Sequence, residues 1–109
     1  MFTSYFAKYK GENGVSIAGR APKGFCGREF KTLAPKYWFF KRHKEDGDWD
    51  FYKEQYQKQV LGLLDPEEVA EELGPDAVLL CWESSGNCHR HLVAEWLREN
   101  GYKVEELQY

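Results

Sequence analysis

Long hydrophobic stretches are missing from this 109-residue chain. Its longest uninterrupted apolar run, residues 77–82, falls far short of the roughly 20 residues needed to cross a bilayer, so no membrane role is expected. Cysteine is scarce: the three present are odd in number and form no spaced framework. That argues against a disulfide-stapled secreted module and for a reduced, cytoplasmic setting. No basic segment runs into an apolar one after Met1, so no signal peptide is expected. Repeats, low-complexity tracts and linkers are absent too, and the length suits one core rather than two.

What is present can fill that core, since hydrophobic residues make up 42% and aromatics 17% of the chain. The formal net charge of −3 hides an uneven distribution. Residues 1–44 hold ten Lys or Arg against two acids, Glu12 and Glu29, whereas residues 45–109 hold five against sixteen. Such asymmetry either marks a face for polyanions or is neutralised when the two halves pack together, and the second reading is preferred from sequence position alone.

Residues 2–6 and 15–18 read as short strands separated by the turn sequence Lys10-Gly11-Glu12-Asn13-Gly14. Gly19, Pro22, Gly24 and Gly27 make residues 19–32 a loop of unusual length. Pro35 suits the first turn of a helix to about Lys44, and Asp48 can cap a second helix through Leu64. Asp65-Pro66-Glu67-Glu68 supplies an N-cap, an N1 proline and an acidic first turn for a third helix ending near Leu73. Residues 77–82 then read as a central strand buried on both faces. A helix from about Cys88 to Asn100 with Gly101 as its cap follows, and residues 103–107 alternate as a last strand. Strand, helix, strand is one βαβ unit. The expected fold is therefore α/β: a single three-layer domain, with a mainly parallel sheet of about four short strands and flanking helices. Ligands in such sheets bind beyond the carboxyl ends of the strands, where Gly19-Arg20 and residues 81–90 should meet.

The segment Cys81-Trp82-Glu83-Ser84-Ser85-Gly86-Asn87-Cys88-His89-Arg90 carries the chemistry. With Asn87 as N-cap, Cys88, His89 and Arg90 open the helix. His89 then shares a face with Leu92, Val93 and Trp96, and His91 faces outward. Cationic residues at a helix N-terminus oppose the macrodipole by roughly 0.3 to 1 kcal/mol each. Something negative is expected to complete the site: Glu83, a bound anion or a Cys88 thiolate. Each residue also has a plain structural role open to it. Cys81 can be a buried structural cysteine, Glu83 and Arg90 an ion pair, and His89 a donor to a backbone carbonyl. Cys81, Cys88 and His89, with Cys26 or His91, are zinc-ligand types. Their spacing matches no standard zinc module, and no metal or other cofactor is expected. A Cys81–Cys88 redox pair stays open, although it lacks C-x-x-C spacing.

The run Leu79-Leu80-Cys81-Trp82-Glu83, followed by Cys88-His89-Arg90-His91-Leu92-Val93-Ala94, resembles the signature of the "domain of unknown function 488" family of small bacterial and phage proteins. That signature is an apolar strand, C-x-E, a short polar loop and C-H-R opening a helix. The resemblance extends upstream to Ser16-Ile17-Ala18-Gly19-Arg20-Ala21-Pro22 and to Leu33-Ala34-Pro35. It implies a small α/β domain without an assigned reaction, and it carries over Cys81, Glu83, Cys88, His89, Arg90 and Arg20, but not Cys26.

Two functional classes follow. The first is an enzyme acting on a nucleotide or other anionic small molecule. There Cys88 is the nucleophile, His89 or Glu83 the acid/base, Cys81 a second thiol, and Arg90 and Arg20 the anion holders. The second is a binding module for nucleic acid or protein. It uses the basic first half and the loop from Arg20 to Lys36, with Tyr37-Trp38-Phe39-Phe40 beside it to stack on bases, and the cysteine motif becomes a structural polar network. Core packing is the preferred reading of those four aromatics, because consecutive residues cannot all face one way.

Overall fold

In the computed structural model, which describes residues 1–84 and 86–109, the C-terminal strand edge assembles around the apolar run expected to be central. Strand β4 (Val78–Cys81) is buried along its whole length. It lies between β1 (Phe2–Tyr5) and β2 (Gly14–Ser16), with β3 (Arg28–Glu29) and β5 (Glu105–Glu106) at the edges. The order is β3-β2-β4-β1-β5 and every pairing is parallel. Thr3 and Val15 both stand opposite Leu79, and Tyr5 stands opposite Cys81.

Period-two alternation divides the core. Leu79, Val15 and Ile17 join the large cluster that holds the buried apolar residues of all four helices. Val78 and Leu80 point the other way, into a small cluster with Phe6 and Ala18 that is flanked by Tyr9, Phe25 and Leu107. The helices thus share one face, and loop residues form the layer on the other.

Local chemistry sets the helices. Helix α1 spans Tyr37–Asp46, after an N-cap at Lys36. Pro35 therefore lies ahead of the helix rather than in its first turn, and this register buries Phe39 while leaving Tyr37 72% exposed. Gly47, at φ 66°, ends α1 in the left-handed conformation that glycine takes without a Cβ penalty. Helix α2 spans Trp49–Gln59, and Asp48 accepts a 3.1 Å bond from the Phe51 amide as its cap. It stops short of Leu64 because residues 61–63 tighten into a 3-10 turn that buries Leu61 and exposes Leu63. Helix α3 (Pro66–Leu73) has the expected Asp65 cap, on the Glu67 amide at 2.9 Å. Helix α4 spans His89–Glu99 with Cys88, not Asn87, as N-cap. The loop read from residues 19–32 contains β3 and leads into a second 3-10 turn at Lys31–Leu33. No helix among the described residues is long and apolar enough to cross a membrane.

Candidate functional site at the carboxyl edge of β4

Cys81 ends β4 on the helix-bearing face, and Cys88 stands at the mouth of α4; both are buried. Their sulfurs are brought into contact, with the Cα atoms 7.4 Å apart. Cys26 is free and exposed. The Glu83 carboxylate and the two sulfurs lie within 4.8 Å of one another, a donor set that a thiophilic cation could use when both cysteines are reduced.

His89 occupies the first position of α4 and turns under the sheet edge. Its Nε2 lies 2.7 Å from the Ile17 carbonyl oxygen. A carbonyl only accepts, so Nε2 carries the hydrogen. Burial pushes the imidazole pKa down to about 4, with the bond to Ile17 acting in the opposite sense, so the ring is neutral near pH 7. Nδ1 is then an acceptor, and it stands 3.8 Å from Cys88 Sγ. The Tyr56 ring lies 5.5 Å from the imidazole, centroid to centroid, and the Tyr56 hydroxyl donates to the Leu33 carbonyl at 2.6 Å.

Arg90 is buried to 1% exposure, and its donors are turned inward. Nε and Nη2 donate to the two Glu106 oxygens at 3.0 and 2.8 Å. Nη1 donates to Cys81 Sγ at 2.9 Å and to the Glu83 carbonyl at 2.6 Å. The negative partner expected beside the α4 N-terminus is therefore the Glu106 carboxylate, and Glu83 contributes its main chain. Burial raises the Glu106 pKa, but hydrogen bonds from Arg90 and Thr3 and the Arg90 charge outweigh that and hold it below the usual carboxylate value. Arg20 is exposed and reaches this region through its carbonyl, which accepts from Trp82 Nε1 at 2.8 Å. The fold thus gathers Cys81, Glu83, Cys88, His89 and Arg90, with Arg20 at the rim.

Glu106 and Ile17 escaped the sequence reading. Ile17 acts through its carbonyl, which no side-chain pattern reveals. Glu106 did leave a trace: in a strand it shares a face with buried Val104, and an acid at such a position calls for a cation. The four consecutive aromatics divide as packing requires. Phe39 is buried, and Trp38, half exposed, packs edge-on against Phe39 and Phe51.

A family model described as "Active DUF488-N3 subclade" matches residues 8–101, which includes the whole of this segment and stops before Glu106. No curated protein and no solved structure matches the chain.

Proposed function

The chain belongs to the DUF488 family, and from that premise we propose that it is a cysteine-dependent enzyme acting on a nucleotide or other phosphorylated, anionic small molecule. The reading is carried by one relationship: the Ile17 carbonyl fixes the His89 tautomer that presents a bare Nδ1 to Cys88. In the reduced protein the Cys88 S–H proton passes to Nδ1 as Sγ forms a bond to the electrophilic atom. The leaving group departs with that proton, and His89 returns to its neutral form. Cys88 is the attacking thiol because, as the α4 N-cap, it lies at the positive end of the helix and follows the exposed residue Asn87 in the chain. Cys81 is the second thiol, the Glu83 carboxylate an additional acid/base, and Arg20 the exposed cation at the rim. Arg90 acts as a positioning residue, since it is engaged by Glu106, Cys81 and the Glu83 carbonyl.

That engagement also favours a second reading, in which the motif is a polar network fastening α4 to the sheet and the protein is a binding module. Alkylation by iodoacetamide near pH 7, followed by intact mass and peptide mapping, separates the two. The catalytic reading expects Cys88 in the reduced protein to react faster than a free cysteine peptide, and more slowly in His89→Gln. A Cys88 that reacts no faster than the peptide, or is indifferent to His89→Gln, removes the nucleophile role. Zinc that binds the reduced protein and shields both Cys81 and Cys88 would replace it with a metal site.

A further inference from the structure

The helix-free face of the sheet carries a surface that shares only Arg20 with the cysteine site. A cleft of about 490 Å³ opens there, with Phe6, Tyr9, Phe25 and Leu80 among its apolar walls and Lys10 and Lys23 at its rim. The rings form a row. Trp82 packs edge-on against Phe6 at 5.2 Å, and Phe6 against Phe25 at 5.4 Å, centroid to centroid. Trp82, which follows Cys81, is 53% exposed and is pinned by its indole N–H to the Arg20 carbonyl. Lys10, Lys23 and Arg20 are exposed, and none has an ion-pair partner among the described residues. Glu12 is the acid that shares the cleft lining.

Covering the sheet accounts for Phe6 and Leu80, which are buried. It does not account for a half-exposed Trp82 held by a hydrogen bond to the Arg20 carbonyl, nor for two exposed lysines without an ion pair among the described residues, lining the cleft beside the same rings. Aromatic faces offer stacking to bases of any sequence, and flanking cations follow a phosphate backbone. We propose that this face binds single-stranded nucleic acid. The strand runs from Trp82 and Arg20 toward the cleft between Lys10 and Lys23, and bases stack on the accessible rings. The whole chain is acidic, with a formal charge of −3, so attraction to a polyanion is a local property of this face and not of the molecule. The surface is distinct from the Tyr37–Phe40 segment, whose buried member Phe39 faces the helical core.

Fluorescence anisotropy with a labelled single-stranded DNA of about 12 nucleotides, within the roughly 4–16 nucleotide range of small single-strand binders, tests the assignment. Binding is expected at low ionic strength and should weaken about tenfold between 50 and 200 mM salt, as displacement of a few phosphate counterions requires. Trp82→Ala and the double variant Lys10→Glu/Lys23→Glu should each weaken it about tenfold more, and all three positions are exposed enough for the fold to survive. Cys88→Ser should bind as the unaltered protein does, so this result stands apart from the fate of the nucleophile. The proposal is overturned by no binding at 50 mM salt, by binding that both variants leave intact, or by equal affinity for a duplex. Displacement by an equal concentration of a mononucleotide would also overturn it, by making the cleft a free-nucleotide site.

Discussion

Arg90 and Glu106 are sixteen residues apart in sequence and face each other through two hydrogen bonds, one on each carboxylate oxygen. One partner comes from the first turn of α4 and the other from the edge strand β5. The pair fastens the helix to the sheet beside Cys81. Burying a guanidinium is costly unless charge and hydrogen bonds compensate it, and here Glu106, Cys81 and the Glu83 carbonyl do so together.

Removing the acid should therefore cost more than removing both partners. Glu106→Ala leaves the Arg90 charge buried without its counterion and is expected to destabilise by about 3–5 kcal/mol. Arg90→Met combined with Glu106→Ala should recover part of that loss. Urea denaturation of the two single variants and the double variant closes the cycle. Strictly additive single effects would show that the pair is not coupled.

The neutral buried His89 gives stability a pH dependence of definite sign. Its folded pKa is depressed to about 4, so below the ordinary value of about 6.5 an unfolded histidine takes up a proton that the native one refuses. Stability from this group is full above pH 6.5, declines as pH falls through that window, and stops declining below about pH 4. The total is on the order of 3 kcal/mol. Glu106, held below its usual value, acts at the acid end: its contribution is present above the ordinary carboxylate pKa and is lost as pH falls through the lower folded value. His91 is shifted downward mainly by burial, so the diagnostic is a difference between proteins. Urea midpoints measured from pH 7 to pH 4 should fall less steeply in His89→Gln. Parallel profiles would mean that His89 takes up its proton in the native state as readily as in the unfolded one.

Gly27 is expected to tolerate no side chain. A Cβ there would run into the Gly14 carbonyl of β2 and come within 2.5 Å of Phe25 Cζ. Backbone cannot yield as a flexible side chain does, so Gly27→Ala should cost about 1–3 kcal/mol and lower the melting temperature by several degrees. Gly19→Ala is the control, because a Cβ at that position meets nothing within 4 Å. Equal melting temperatures for the two variants would contradict the close approach of β2 and the Gly27 segment.

The sequence by itself determined whatever is encoded over a few residues. The run at residues 77–82 contains a buried strand, because continuous apolar character bounded by turn residues leaves no solvent face. Asp65-Pro66 started α3 and Asp48 started α2, since capping depends on the next two or three amides. The parallel α/β class followed from the alternation of strand and helix, and the C-x-E and C-H-R signature brought Cys81, Glu83, Cys88, His89 and Arg90 into view. Only the tertiary structure decided who meets whom. Ile17 reaches His89 across 72 positions because β2 lies beside β4, and Glu106 displaces Glu83 as the acid facing Arg90 because β5 pairs with β1. The gathering of all four helices on one face, which leaves Trp82 half exposed beside Phe6 on the other, was settled in the same way. Propensity and periodicity act through neighbours in the chain, whereas partners across a sheet are set by strand order and register.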